Sequence, residues 1–232
     1  MVSVCLATYN GSNFIYEQLT SILKQLKETD EIIISDDNST DNTLDIIKAF
    51  ADSRIKIFLN PDKGVISNFE NALLKSSGNF IFLSDQDDVW MDNKYEVMLC
   101  ELRTADMVIS DAKLINENAT LLLDTYFSVN KSKFSFLQSF NKNPYLGCCM
   151  AFNRKVLNKA TPFPSNIPMH DIWIGMIAKT FFKVKVINEA LLLYRRHGGN
   201  ASAATEKSPY NFYEKLSFRL NVLYNLVRYT FK

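Results

Sequence analysis

No apolar run in these 232 residues approaches the roughly 20 needed to cross a bilayer, so a spanning helix is not expected. Charge of one sign is missing too. The 26 Lys and Arg offset 25 Asp and Glu, a formal net charge of +1, so no basic excess points to nucleic acid. The four cysteines lack metal-ligand spacing: Cys5 lies in an apolar run, and a strand would send the neighbours Cys148 and Cys149 to opposite faces. Reduced structural thiols are the expectation. Met1 to Ala7 carries neither the charged leader nor the apolar stretch of a secretory signal and reads as a first strand, so a cytoplasmic chain is expected. Internal repeats and low-complexity segments are absent. What remains is a 47% hydrophobic chain, long enough to bury a core as one large domain or one domain with an appendage.

Through about residue 110, short apolar runs alternate with helix-period segments, the pattern of βαβ units in a mainly parallel sheet. Strands are expected at Val2 to Ala7, Glu31 to Ser35, Ile55 to Leu59, Asn79 to Ser84 and Met107 to Ser110. Between them Phe14, Ile15, Leu19, Ile22, Leu23 and Leu26 recur at helical spacing, as do Leu44, Ile47 and Phe50, then Ile66, Phe69, Ala72 and Leu73. These stripes are core. Asp41 gives a helix start, and Gly78 is placed to end the third helix. The second half is less regular. Strands are expected at Val184 to Ile187 and Leu191 to Tyr194, and helices at Ile172 to Phe181 and Tyr210 to Phe231.

The run Phe80 to Leu83 ends in Ser84-Asp85-Gln86-Asp87-Asp88-Val89-Trp90, three carboxylates where a buried strand would reach the surface. An Asp-x-Asp pair there can turn two carboxylates toward one hard cation, and Mg²⁺ or Mn²⁺ held so keeps positions open for substrate phosphates. An isolated Asp-x-Asp is usually a solvated turn. Here Thr8-Tyr9-Asn10-Gly11 follows the first strand and Asp36-Asp37-Asn38-Ser39 the second, and in open α/β sheets ligands bind beyond the carboxyl ends of strands. Asp37 can accept from a pyrimidine N3–H or a ribose hydroxyl, and Tyr9 can cover a base face, which grips a nucleotide without a Gly-rich phosphate loop. Helix capping is the competing role for Asp36 and Asp37.

Taken in order, Ala7-Thr8-Tyr9-Asn10, Ser35-Asp36-Asp37-Asn38-Ser39-Thr40-Asp41, Asn60-x-x-Lys63-Gly64 and Asp85-Gln86-Asp87-Asp88 resemble the family 2 glycosyltransferases of the GT-A fold. The resemblance covers nearly the whole chain and is densest between residues 2 and 90. It implies an α/β fold with a nucleotide-sugar donor, a divalent cation (Mn²⁺ or Mg²⁺) bridging the diphosphate, and one-step inverting transfer. By that resemblance Thr8, Tyr9, Asn10, Asp37, Lys63, Asp85 and Arg196 would bind the nucleotide sugar, and Asp85, Asp87 and His197 the metal. Asn38 stands where many relatives have Gly, a mild change because Asn tolerates left-handed backbone angles. His170 takes the first position of what is often a Glu-Asp pair, so the matching carboxylate, and the expected general base, is Asp171; capping of the following helix is its alternative role.

Arg195-Arg196-His197-Gly198-Gly199-Asn200 resembles the C-terminal loop that closes over the donor diphosphate in non-processive relatives, whose cations would neutralise the leaving nucleoside diphosphate. Trp90 and Trp173 suit either a sugar face or the core. From Lys207 to Lys232, five basic residues face one Glu, and Phe212, Leu216, Leu220, Leu223, Val227 and Phe231 mark one helical face. Such a helix reads equally as one lying in the membrane interface or as one docked on the sheet. The processive synthases' Gln-x-x-Arg-Trp motif and spanning helices are both missing.

The expectation is therefore a GT-A domain over 1–205, with a nucleotide-sugar half at 1–110 and an acceptor half at 111–205, followed by a basic amphipathic helix at 206–232. The combined motifs resemble the rhamnosyltransferase-labelled branch. They imply transfer of one hexose or deoxyhexose from a UDP- or dTDP-sugar to a polyprenyl-diphosphate-linked glycan of a bacterial surface polysaccharide, with peripheral contact at the inner membrane. A sugar nucleotidyltransferase would be expected to open with a Gly-rich pyrophosphate loop, and a non-catalytic glycan-binding relative to have lost Asp85, Asp87 or Asp171. The sequence shows neither feature.

Overall fold

The structure, a computed structural model, describes residues 1–130, 143–200 and 211–230. β1 (Val2–Thr8) is buried along its whole length, because β2 (Glu31–Asp36) and β4 (Phe80–Asp85) flank it in parallel and helices cover both faces. A strand with no solvent face reads as an unbroken apolar run instead of an alternating one. β3 (Ile55–Leu59) lies at the edge beyond β2 and is only half-buried. The crossovers are α1 (Ile15–Leu23), α2 (Thr43–Ala49) and α3 (Val65–Lys75), whose buried positions include Ile15, Leu19, Ile22, Ile47, Phe69, Ala72 and Leu73.

Beyond β4 come β5 (Val89–Trp90), α4 (Lys94–Glu101), β6 (Met107–Asn116), β7 (Leu121–Leu123), α5 (Tyr126–Asn130), β8 (Met150–Asn153), α6 (Arg154–Ala160), α7 (His170–Phe181), β9 (Val184–Arg196) and α8 (Phe212–Thr230). The sheet order is β3-β2-β1-β4-β8-β6-β9-β5, with β7 on β6. It is parallel from β3 to β4. β8 then runs antiparallel to both β4 and β6, so the second half is mixed.

Three local expectations change. The separate strands at Val184 to Ile187 and Leu191 to Tyr194 are one strand, because β6 pairs along the whole of β9 through two register shifts, one between Val186 and Ala190 and one between Ala190 and Leu193. The same pairing carries β6 to Asn116, past the expected end at Ser110. Cys148 and Cys149 lie in a 3-10 turn (Gly147–Cys149) closed by the amide of Cys149 donating to the carbonyl of Leu146 at 2.9 Å, and both are buried instead of facing opposite ways from a strand.

The last helix packs one face on the domain. Val222, Asn225, Leu226 and Tyr229 are buried. Asn225 Nδ2 donates to Asn166 Oδ1 at 2.8 Å, Tyr229 donates to the carbonyl of Pro162 at 2.5 Å, and its ring meets Trp173 edge-on at 5.0 Å. Trp90 and Trp173 both belong to the core. Among the described residues no helix is long and apolar enough to cross a membrane. The expected ends of the final helix at Tyr210 and Phe231, and the boundary at 205/206, lie outside the described residues.

Candidate active site

The carboxyl ends of β1, β2 and β4 lie side by side, with Thr8 opposite Asp36 and Ala7 opposite Asp85 in the ladders. The loops that leave them line one cleft, which Thr8, Tyr9, Asp37, Asp85, Asp87 and Asp171 share. Tyr9 offers an exposed ring. Asp37 is held from two sides: Asn60 Nδ2 donates to Oδ1 at 2.9 Å, and the amide of Gly64 donates to Oδ2 at 2.9 Å. Neither it nor Asp36 caps a helix: Asp36 accepts from the amide of Ser39 at 2.8 Å and its hydroxyl at 2.6 Å in the loop ahead of α2, whose N-cap is Asn42.

Gln86 locks the first and fourth strand ends together. Its Oε1 accepts from Thr8 Oγ1 at 2.6 Å and from the amide of Tyr9 at 2.8 Å, while Nε2 donates to the carbonyl of Tyr9 at 3.0 Å. Gly11 makes room for it: a Cβ there would stand 2.2 Å from Gln86 Oε1. Asn10, at φ +47°, ties the first loop to the second, its amide donating to Ser39 Oγ at 2.9 Å and its Oδ1 accepting from the amide of Thr40 at 2.8 Å. Neither Asn10 nor Lys63 lines the cleft, and Lys63 is exposed beside Gly64. Arg196 is also outside the lining, with its guanidinium 6.0 Å from the centre of the Tyr194 ring.

The acidic loop is crowded. Burial, with the charge of Asp87, pushes the Asp85 carboxyl up to about 7. Burial, with the charges of Asp87 and Asp85, raises Asp88 well above the ordinary carboxylate range. Asp88 Oδ1 accepts from the amide of Arg195 at 2.9 Å, and Oδ2 is buried without a hydrogen-bond partner among the described residues. Asp85, Asp88 and Cys148 offer ligand atoms within 4.8 Å of one another. Asp87 is reached from the other side: His197 Nε2 lies 2.8 Å from its Oδ2, and Asn200 Nδ2 donates to the same oxygen at 3.1 Å.

Arg195 supports this arrangement from below. Its buried guanidinium donates to the carbonyls of Asp87 at 2.8 Å and Glu117 at 3.0 Å, pairs with Glu17 at 2.5 Å, and lies 5.1 Å from the centre of the Phe14 ring. Of the two adjacent arginines the sequence favoured Arg196. The alternation of β9 turns Arg195 inward, and only the pairing of β9 reveals that. Asp88, Asn200 and Gln86 were visible as motif members without a role.

Asp171 sits in the first turn of α7 and is nearly fully buried. Its Oδ1 accepts from the amide of Ile172 at 2.6 Å, and Asn143 Nδ2 stands 3.5 Å from Oδ2. It thus holds a first-turn amide of its own helix, whose N-cap is Met169, and also faces the cleft. Burial pushes its carboxyl up to about 6.

Residues 3–161 match the family model described as Glycosyl transferase family 2. The chain is 28% identical over 229 residues to the Escherichia coli UDP-Glc:alpha-D-GlcNAc-diphosphoundecaprenol beta-1,3-glucosyltransferase WfaP, spanning 96% of this chain and 85% of that one. It is 31% identical over 162 residues to WfgD, described by the same words, covering 68% of this chain but only 62% of WfgD. The dTDP-rhamnosyl transferase RfbG of Shigella flexneri is 30% identical over 222 residues, 86% of this chain and 74% of that one. Among solved structures, Staphylococcus aureus TarS 1–349 in complex with UDP-GlcNAc superposes with a TM-score of 0.73 at 22% identity, over 97% of this chain and 66% of that one. The mannosyltransferase PcManGT of Pyrobaculum calidifontis, in complex with GDP-Man and Mn²⁺, gives 0.66 at 19% identity, over 98% of this chain and 64% of that one. These two likenesses establish the GT-A fold.

Proposed function

Because the chain belongs to glycosyl transferase family 2 and is a glycosyltransferase, we propose that it moves one hexose or deoxyhexose, with inversion and without processivity, from a UDP- or dTDP-sugar to a lipid-linked glycan acceptor in bacterial surface polysaccharide synthesis. One observation carries this reading: a buried carboxylate, Asp171, faces the same cleft as the nucleoside-side groups Tyr9 and Asp37 and the acidic pair Asp85 and Asp87. Base, donor and phosphate positions then lie within one substrate's reach.

Asp37, pinned by Asn60 and Gly64, keeps lone pairs for a pyrimidine N3–H or a ribose hydroxyl, and the exposed Tyr9 ring covers the base. Thr8 and Asn10 shape that loop, and Lys63 and Arg196 supply cations at the rim. The donor set fits a hard divalent ion: the crowded carboxylates of Asp85 and Asp87 are costly without a counter-charge, and His197 adds an imidazole that Mn²⁺ accepts. The Cys148 thiol, buried and held well above its ordinary pKa, suits neither Mg²⁺ nor Mn²⁺, so Asp85, Asp87 and His197 would hold the ion. When bound, the ion neutralises charge on the donor diphosphate. Asp171 takes the proton of the acceptor hydroxyl as that oxygen bonds to the anomeric carbon, and the bond to the nucleoside diphosphate breaks with its electron pair on the leaving oxygen.

The test is thermal stabilisation by UDP, dTDP and GDP with and without Mn²⁺, followed by transfer assays with the matching sugars. A ligand at 100 times its dissociation constant adds about 2.7 kcal/mol to stability. Mn²⁺-dependent stabilisation by UDP or dTDP supports the donor site; no shift with any nucleotide refutes it.

The opposite face of α8 bears on the acceptor. Leu216, Leu220, Leu223 and Val227 are exposed along one stripe, with Lys215, Arg219 and Arg228 on the same helix. Docking and an outward apolar stripe therefore occupy different faces, and the outward one suits an anionic bilayer surface where a polyprenyl carrier would sit. Changing Leu220 and Leu223 together to Glu is expected to weaken co-sedimentation with phosphatidylglycerol vesicles at least about tenfold. The melting temperature should stay unchanged, since neither side chain packs on the domain.

A further inference from the structure

His170 opens α7 beside Asp171 and lines the cleft, yet neither of its ring nitrogens has a hydrogen-bond partner among the described residues. The side chain is 5% exposed, and buried polar atoms are nearly always paired. Leaving them unpaired is disfavoured by about 1 to 3 kcal/mol per group. Packing alone does not call for an imidazole here. The ring stacks on Phe69 at 3.9 Å between centroids and 22° between planes, a slot that a phenyl ring would fill without orphaned nitrogens.

The ring's other neighbour fixes its orientation. Gly147 passes so close that a Cβ there would stand 3.0 Å from Nε2, and the nitrogen itself is enclosed. Asn68, one residue before Phe69, lines the same cleft; its Nδ2 donates to the carbonyl of Thr8 at 3.1 Å, while its buried Oδ1 is also unpartnered among the described residues. Burial holds the imidazole down to about 3, so it is neutral, with one donor and one acceptor nitrogen. A sugar hydroxyl, which both gives and takes a hydrogen bond, matches that pair. A diphosphate, which asks for cations, does not.

We propose that His170 recognises a carbohydrate hydroxyl in the cleft through its unpartnered ring nitrogens and is a specificity-determining residue for the transfer. The inference deepens the glycosyltransferase reading and rests on it. The hydroxyl belongs either to the transferred sugar or to the acceptor, and the two are separable.

Wild type and His170→Phe are titrated calorimetrically with UDP and UDP-glucose, and with dTDP and dTDP-rhamnose, in Mn²⁺. The acceptor KM is then measured with a lipid-diphosphate-linked N-acetylglucosamine. Binding of the bare nucleotide is expected to be unchanged, while affinity for the intact donor, or the acceptor KM, worsens about 10- to 100-fold. Loss on the donor side assigns the hydroxyl to the transferred sugar; loss in acceptor KM assigns it to the acceptor. The melting temperature should hold or rise, because the phenyl ring removes the orphaned nitrogens. His170→Asn, which keeps a donor and an acceptor without the ring, should recover part of the lost recognition. Unchanged donor and acceptor recognition in His170→Phe overturns the inference, as does parallel loss of bare-nucleotide binding and melting temperature, which would make the ring a packing element. If wild type binds none of the nucleotides, the donor-site reading falls and takes this inference with it; if it binds them and His170→Phe behaves as wild type, only this inference falls.

Discussion

Replacing Asp171 with Asn is expected to slow sugar transfer by about 10² to 10⁴ while leaving nucleotide binding and the fold in place, the span a positioned general base typically contributes. An acceptor hydroxyl is a poor nucleophile until its proton has somewhere to go. The amide keeps the side-chain oxygen that accepts from the amide of Ile172 in α7, so the helix start survives and only the proton acceptor is lost. A residue whose only task was to hold that first-turn amide would lose little activity and little stability on this change, since Asn accepts the same bond. The pH profile gives a second readout. Burial raises the Asp171 carboxyl to about 6, and the base works only when ionised, so the wild-type rate should climb as pH rises through about 6 and level off above it. The residual rate of Asp171→Asn should lack that limb.

Asp87→Asn is expected to abolish Mn²⁺-dependent stabilisation by the donor nucleotide and to lower transfer by about two to three orders of magnitude, in line with the several kcal/mol that a bound cation supplies to developing charge. Two roles meet at this carboxylate. It is one of the oxygens proposed to hold the ion, and its Oδ2 draws in both His197 and Asn200. The Asn variant keeps the shape but loses the charge, so the loop from β9 loses its electrostatic tie as well. Calorimetric titration of Mn²⁺ plus UDP or dTDP against both proteins checks this. Retained metal-dependent binding in the variant would move the ion away from Asp87, toward the Asp85 and Asp88 carboxylates that face Cys148.

The first half of the fold was legible because each buried parallel strand wrote itself as an apolar run and each crossover helix as a stripe. Ile33, Ile34, Leu19 and Phe69 occupy the core for the reason their spacing gives. The clustering of Thr8, Tyr9, Asp37, Asp85 and Asp87 was legible too, since strand ends in a parallel sheet converge by topology. Past residue 110 the pattern fades, because β8 and β6 pair antiparallel and β9 is held straight by a neighbour 77 residues away in sequence, from Met107 to Val184. No local period encodes such a partner. The inward turn of Arg195 and the burial of His170 against Phe69 are likewise tertiary facts. For His170 a weak hint existed in its unusual place before Asp171, but nothing in the string marked its nitrogens as unpaired.

Gly11 carries no positive φ that would bar a side chain, and its backbone would accept alanine. What forbids a methyl group there is the amide of Gln86, reaching across from a segment 75 residues downstream to bind Thr8 and Tyr9. The two positions are therefore joined in inheritance. A side chain at residue 11 must push the Gln86 amide aside, and a displaced or shortened residue 86 leaves the loop under the nucleoside without its brace until something else replaces it. Across descendants of this sequence, positions 11 and 86 should change together or remain fixed together.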